Sequence, residues 1–133
     1  MPTGSALREV LAAVTRRSVT VAASEPLATD ADTPSVLADY TLAGGRLAVC
    51  CVADSGLADA LGGAVESWDE IANQLARLLN SPDTPALRVR AVTRLPGELP
   101  DDVASLLREP RARRSFDVAV DELGRGTLSL VMA

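Results

Sequence analysis

Two apolar, β-rich runs separated by a pair of glycines constrain the fold of this chain more than any other feature of its sequence. The runs cover residues 36–43 and 46–53, and Gly44-Gly45 lies between them. Glycine adopts the positive φ angles that a tight two-residue turn requires. The pattern therefore predicts an antiparallel β-hairpin.

Four segments have the spacing of amphipathic helices. Residues 5–17 place apolar side chains at i, i+3, i+4 and i+7, and residues 66–80 have one apolar and one polar face. A shorter helix is predicted to begin at Asp54-Ser55-Gly56, with Ser55 as its N-cap, and to end near residue 62. Residues 100–109 begin with a proline and two acids, which is typical of a helix start.

The remaining β-rich segments complete a mixed fold. Strands are predicted at residues 18–23 and 87–94, and a second hairpin at residues 116–120 and 127–132. Residues 25–35 are predicted to be a loop. No internal repeat is evident, and the length of 133 residues indicates one domain spanning 1–133. The order of elements predicts an α+β fold, in which amphipathic helices cover one face of a largely antiparallel sheet with two hairpins.

The basic residues exclude several kinds of chemistry. All 13 are Arg, because the sequence contains no Lys and no His. This excludes the lysine of a Walker-type phosphate loop, Schiff-base chemistry, Ser-His and Cys-His nucleophile pairs, and zinc sites that need imidazole. The net charge of −5 also makes nucleic acid an unexpected partner, since duplex affinity depends on clustered positive charge.

The distribution of apolar residues predicts a soluble, cytoplasmic protein that binds no membrane. No run approaches the roughly 18 apolar residues of a membrane span, and the amino terminus lacks the layout of a signal peptide. Cys50 and Cys51 are neighbours in a predicted strand, so their side chains should point to opposite faces of the sheet. Both thiols are expected to stay reduced and to bind no metal.

The polar face of the helix at residues 66–80 is the first candidate site. Glu70 and Asn73 place a carboxylate and a carboxamide about one turn apart, where both can reach one docked ligand. Polar helix faces are also common simply because they are solvated. The other polar residues assigned to this face are Glu66, Arg77 and Asn80.

Residues 66–73, which follow a hairpin and a short helix, resemble the chemotaxis phosphatase family of CheC, CheX and FliY. The family signature is Asp or Ser, three residues, Glu, two residues, Asn, and a proline 22 residues further on. Glu70 and Asn73 match it, and Glu66 stands at the first position. The proline is Pro96 by spacing, or Pro85 if it precedes the strand. The order of elements over residues 5–132 resembles CheX, with a single copy of the motif.

This resemblance implies a phosphatase that stimulates hydrolysis of the aspartyl phosphate on a CheY-like response regulator. Asn73 would orient the attacking water, and Glu70 would pair with a lysine of the regulator. Glu66 and Arg77 would contribute to partner binding. The domain would need no cofactor of its own, because the regulator carries Mg²⁺. The alternative is a non-catalytic module of the same fold that binds a regulator or a flagellar switch, or a small acidic dimeric chaperone.

Two groups of arginines and the strand edges complete the expectations. Arg88, Arg90 and Arg94 are interpreted as edge-strand protection or a solvated face. A second group is interpreted as cations in a solvated loop at a helix end, or as a contact for an acidic partner; it comprises Arg108, Arg111, Arg113 and Arg114. Open strand edges offered by the two hairpins predict a homodimer.

Overall fold

The computed structural model describes residues 4–25, 33–42, 44–62, 68–80 and 87–133. It confirms the α+β fold, with four helices and six strands in the described part of the chain. The helices are α1 (Gly4–Thr15), α2 (Ser55–Gly62), α3 (Trp68–Leu79) and α4 (Asp101–Arg108). The strands are β1 (Val19–Ser24), β2 (Ser35–Thr41), β3 (Leu47–Asp54), β4 (Arg88–Leu95), β5 (Ala112–Val120) and β6 (Gly124–Met132).

The six strands form one sheet in the order β1-β5-β6-β3-β2-β4, and every pairing is antiparallel. The predicted hairpins are β2–β3, with positive φ at both Gly44 and Gly45, and β5–β6. All four hairpin strands lie inside the sheet, so the expectation that the hairpins offer open edges is wrong. The edge strands are β1, which pairs with β5 of one hairpin, and β4, which pairs with β2 of the other.

The connectivity repeats, although the sequence shows no repeat. One half consists of α1, β1 and the β2–β3 hairpin, and the other of α3, β4 and the β5–β6 hairpin. If β1, β2 and β3 are exchanged with β4, β5 and β6, the result is the same strand order read from the opposite edge of the sheet. Each single strand pairs with the hairpin of the other half, β1 with β5 and β4 with β2. The halves are therefore interlocked in one sheet and cannot separate as independent domains.

Three helices, α1, α2 and α3, cover one face of the sheet, which we call the three-helix face. Their apolar stripes bury a continuous core with the inward residues of the strands. Tyr40 is its largest fully buried side chain. The helical members of this core are Leu7, Leu11, Leu57, Ala60, Leu61, Ile71, Ala72, Leu75 and Ala76, and its largest members from the strands include Tyr40, Phe116, Leu128 and Leu130.

The fourth helix lies on the opposite face, which we call the α4 face. Val103, Leu106 and Leu107 pack there against Cys50 and other apolar strand residues. The expectation that helices cover only one face is therefore wrong. The central strands are apolar on both sides, so each face needs a cover.

The two cysteines follow the alternation of a strand. Cys50 belongs to the core cluster of the α4 face and Cys51 to that of the three-helix face, as predicted. Both are buried free thiols. Burial raises the pKa of each to about 12, so neither is a thiolate at neutral pH.

The arginine group near residue 110 is placed differently from the expectation. Arg113 and Arg114 lie in β5 and pair with β6, and not in a solvated loop. The guanidinium of Arg113 donates a hydrogen bond of 3.0 Å to the carbonyl of Leu107, in the last turn of α4. A cation at this position satisfies a carbonyl that has no partner within the helix.

A carboxylate at the end of β3 fixes α2. Asp54 Oδ1 accepts a hydrogen bond from the Leu57 amide at 2.9 Å, and Oδ2 accepts one from the Thr127 amide at 2.9 Å. Asp54 is thus the N-cap, and the prediction of Ser55 in this role is wrong. A Cβ added at Gly126 would collide with Asp54 and Leu57, so glycine allows α2 to lie directly on β6.

Candidate functional site

The exposed side of α3 presents the two residues that match the motif. Ile71 and Leu75 anchor the helix in the core, whereas Glu70, Asn73 and Arg77 are exposed. The 3.6-residue period explains this division, because Glu70 and Asn73 are three positions apart and avoid the buried stripe. The structure therefore brings the predicted carboxylate and carboxamide together on one surface.

A buried tyrosine holds α3 beside Asn73. The Tyr40 hydroxyl donates a hydrogen bond of 2.8 Å to the carbonyl of Ala72, the residue before Asn73. Burial raises the pKa of Tyr40 far above its usual range, so the hydroxyl remains a donor at any working pH. This bond ties the helix to β2 where the candidate carboxamide projects, so Asn73 stands on a rigid support.

In the ranges that the structure describes, neither motif side chain is committed to an interaction: no hydrogen bond or ion pair joins Glu70 or Asn73 to another group there. Asp69 and Glu70 lie in the first turn of α3, where the helix dipole favours negative charge. The carboxylate and the carboxamide are thus available to a docked partner.

Other residues assigned to this face are placed differently or lie elsewhere. Asn80 accepts a hydrogen bond of 2.6 Å from the amide of Leu87, so it joins the end of α3 to the start of β4 and does not serve the exposed face. Glu66 and Pro85 lie outside the described residues. Pro96 follows β4 directly, as the sequence predicts.

The sequence analysis missed a buried ion pair on the α4 face. Asp39 is fully buried in β2, and its Oδ1 lies 2.7 Å from the Arg90 Nε of β4. Arg90 also makes two hydrogen bonds, of 2.9 and 3.0 Å, to the carboxylate of Asp102 in α4. Arg90 therefore links the sheet to the start of α4. A single Asp inside an apolar, β-rich run was the available signal.

The two carboxyl groups of this cluster titrate in opposite directions. Burial raises the pKa of Asp39, and the hydrogen bond and charge of Arg90 only partly oppose that shift. The exposed Asp102 has a lowered pKa, because its hydrogen bonds to Arg90 favour the charged form. The pKa of Arg90 is raised, first by its hydrogen bonds to Asp102, so it stays a cation.

The described residues offer no built metal site and no helix suited to a membrane. Among them, no three His, Cys, Asp or Glu side chains are grouped closely enough to hold a metal ion. No helix in these ranges is long and apolar enough to cross a bilayer. The α3 face itself presents a carboxylate, a carboxamide and a guanidinium, from Glu70, Asn73 and Arg77.

Comparison with known proteins identifies the fold. No protein-family model and no curated protein matches this sequence. Solved structures do match, among them the FliM middle domain from H. pylori, with a TM-score of 0.68 and 10% identity over 97% of this chain and 84% of that one. FliY of Thermotoga maritima has a TM-score of 0.53 and 14% identity over 98% of this chain and 83% of that one. The FliM middle domain from Vibrio alginolyticus has a TM-score of 0.58 and 13% identity over 97% of this chain and 87% of that one. The chain thus has the same fold as these FliM middle domains and FliY.

Proposed function

We propose that this domain binds the phosphorylated form of a CheY-like response regulator through the exposed face of α3 and accelerates hydrolysis of its aspartyl phosphate. The observation that carries the proposal is the joint exposure of Glu70 and Asn73, one turn apart, on a helix that the Tyr40 hydroxyl holds in place. The chain also shares its fold with FliY, a member of the family that residues 66–73 resemble.

The reaction makes modest demands on the domain. Hydrolysis of an acyl phosphate needs a water molecule in line with the bond that breaks, while the regulator supplies the phosphoryl group and Mg²⁺. The Asn73 amide has both a donor and an acceptor, so it can hold that water in one orientation. Glu70 pairs with a cation of the regulator and fixes the register of the two proteins. Arg77, one turn further on, borders the contact.

A second candidate function is binding of the regulator without hydrolysis. The fold shared with two FliM middle domains and with FliY accommodates this candidate as well, because a fold does not fix whether hydrolysis occurs. The same face of α3 would serve both functions. The two candidates differ only in whether the decay of the phosphorylated regulator becomes faster.

The test measures binding and decay separately. A CheY-like regulator is phosphorylated with a small phosphodonor, and phosphate release is followed with and without the domain. The affinity is measured with the regulator in a stable phosphate-mimicking complex. We expect Asn73→Ala to abolish stimulation with little loss of affinity, because its side chain is exposed and acts on water.

Glu70→Ala should weaken binding about 5- to 150-fold, which corresponds to a lost charge-assisted contact of about 1 to 3 kcal/mol. Glu9→Ala is the matched control, because Glu9 is exposed at the position of α1 that corresponds to Asn73 in α3. Binding by the wild type without faster decay would select the second candidate. Absence of binding, or wild-type behaviour of both α3 variants, would refute the role of this face.

A further inference from the structure

The pairing of β2 with β4 contains one extra residue, Arg90. Two consecutive residues of β2, Asp39 and Tyr40, pair with positions 91 and 89 of β4, so Arg90 stands opposite no residue of β2. In a regular strand Val89 and Val92, three positions apart, would point to opposite faces. Both instead pack against the core of the three-helix face. Arg90 is therefore the extra residue of a β-bulge, and its guanidinium lies on the α4 face beside Asp39.

One side-chain hydrogen bond closes this bulge. The Arg90 Nε donates to Asp39 Oδ1 at 2.7 Å. The second oxygen, Asp39 Oδ2, is buried and has no hydrogen-bond partner in the part of the chain that the structure describes. A bulge bends its strand and redirects side chains, and here the bond fixes the bend from the α4 face. The conformation of β2 at Asp39 is therefore held by one donor atom of Arg90.

Tyr40, the next residue of β2, lies on the opposite side of the sheet. Its side chain belongs to the core of the three-helix face, and its hydroxyl donates to the Ala72 carbonyl at 2.8 Å. A hydrogen bond weakens steeply when its angle or its length departs from the optimum. Because the hydroxyl is at the far end of a rigid ring, a small rotation of β2 at the bulge displaces it further than the main chain. The bond beside Asn73 is thus sensitive to the geometry of the bulge.

We propose that Arg90 is a positioning residue for Asn73, the group of α3 assigned to orient the attacking water. The inference rests on the proposed function, because it concerns how accurately Asn73 is placed for that reaction. Arg90 acts through Asp39 and Tyr40, whose hydrogen bonds on the two faces of the sheet are joined by a single peptide of β2. Misplacing a group that orients a reactant slows the reaction steeply. Arg90 therefore affects the hydrolysis step and leaves the docking contact of α3 unchanged.

Two substitutions of equal length separate the bond to Asp39 from the other contacts of Arg90. Arg90→Gln keeps a donor nitrogen the same number of bonds from the main chain as Nε, whereas Arg90→Met keeps no donor. Both remove the charge and the two hydrogen bonds to Asp102. Phosphate release from a CheY-like regulator, phosphorylated with a small phosphodonor, is measured with the domain at saturation. We expect Arg90→Met to lower the stimulated rate about 10-fold with little change in affinity, and Arg90→Gln to keep a rate close to that of the wild type.

A double-mutant cycle tests the route through Tyr40. Tyr40→Phe removes the hydroxyl, so combining it with Arg90→Met should lower the rate no further than Tyr40→Phe alone. Two losses that multiply would mean that the residues act independently, which would overturn the proposal. Val103→Ala is the control for stability, because it removes buried packing from α4 and takes part in neither hydrogen bond. It should destabilise the domain and keep the rate, and an equal loss of rate would also overturn the proposal.

A measurement on the free domain separates this proposal from the proposed function. Tyr40 is the only tyrosine of the chain, so labelling tyrosine with carbon-13 at Cζ gives one resonance, whose position reports the hydrogen bond of the hydroxyl. Arg90→Met should shift this resonance, and Arg90→Gln and Val103→Ala should leave it in place. If Arg90→Met alone does not fold, Asp39→Asn is added to both Arg90 variants, because it removes the unpaired buried charge and keeps an acceptor oxygen.

The two readouts lead to different conclusions. A shifted resonance in Arg90→Met, together with a wild type that does not accelerate decay, would refute the proposed function and still support the link from Arg90 to Tyr40. An unchanged resonance in the folded Arg90→Met variant would overturn the link. So would equal stimulated rates of Arg90→Met and Arg90→Gln when the wild type accelerates decay.

Discussion

The two halves of the internal repeat agree in their buried residues and differ in their exposed ones. Helices α1 and α3 each have 12 residues, and Leu7 and Leu11 of the first correspond to Ile71 and Leu75 of the second, all of them buried. Where α3 exposes Glu70 and Asn73, α1 has Ala6 and Glu9. Buried positions maintain the shared fold, whereas exposed positions can change with little cost in stability, so one half can take on a function that the other lacks.

The edge strands extend this comparison. β1 carries no charge, whereas β4 carries three arginines, one of which pairs with the buried Asp39 of the other half. The halves therefore meet in two ways. On the three-helix face the contact between them includes the neutral hydrogen bond from the Tyr40 hydroxyl to the Ala72 carbonyl, and on the α4 face it includes the ion pair of Asp39 and Arg90.

The largest expected effect tests whether the two helices are equivalent in the core. Leu11→Ala and Leu75→Ala should each lower the free energy of unfolding by about 4 kcal/mol, because each leaves a cavity in a closed core. Urea denaturation of the two variants measures this. Glu9→Ala and Asn73→Ala, at corresponding exposed positions, should each change it by less than about 0.5 kcal/mol. A large difference between the two leucine variants would show that the repeat is one of topology alone.

The next effect concerns the ion pair between the halves. Arg90→Ala should lower the free energy of unfolding by about 2 to 3 kcal/mol at neutral pH, because it leaves the Asp39 carboxylate buried without a cation; the partial exposure of Arg90 reduces the cost below that of a fully buried pair. Chemical denaturation measures this loss, with Arg88→Ala as the exposed control on the same strand. The loss should shrink at low pH, where Asp39 becomes neutral. A loss that does not depend on pH would mean that Arg90 acts through packing only.

A smaller effect is expected for the neutral contact between the halves. Tyr40→Phe removes the hydrogen bond to the Ala72 carbonyl and should cost about 1 kcal/mol, the net value of a typical hydrogen bond. Thermal unfolding measures this loss. If the bond also positions Asn73, the variant should stimulate phosphate release less than the wild type while binding the regulator equally well. Unchanged stimulation would limit the hydroxyl to a structural role.

The smallest effect is a difference in the sign of two pH dependences. The pKa of Asp39 is raised in the folded state. Between the ordinary and the raised pKa, the folded protein therefore keeps a proton on Asp39 that the unfolded chain has released. The stability of the wild type relative to Asp39→Asn should therefore fall as the pH rises from the ordinary carboxyl value of about 3.9 through the raised one. Asp102 has a lowered pKa, so the stability of the wild type relative to Asp102→Asn should be lost as the pH falls below that ordinary value. Unfolding midpoints from about pH 2 to about pH 7 measure both trends, and a common sign would contradict the assigned directions.

Local patterns were sufficient to predict most elements. The Gly44-Gly45 turn and the apolar period of residues 66–80 are properties of short segments, and both lie where the sequence placed them. The exposure of Glu70 and Asn73 followed from the same period. The strands of the second hairpin are longer than predicted, because pairing with β6 holds Arg113 and Arg114 in an extended conformation that their own sequence does not favour.

The sequence by itself determined which residues must be buried and which segments alternate or repeat as strands and helices, because both depend on neighbours a few positions apart. Only the tertiary structure decided that β1 and β4 are the edges, that α4 covers the second face, and that Asp39 meets Arg90. Those outcomes depend on pairings between residues far apart in the chain, such as the 51 positions between Asp39 and Arg90. An alternation pattern specifies that a strand needs partners, but it does not specify which strands they are.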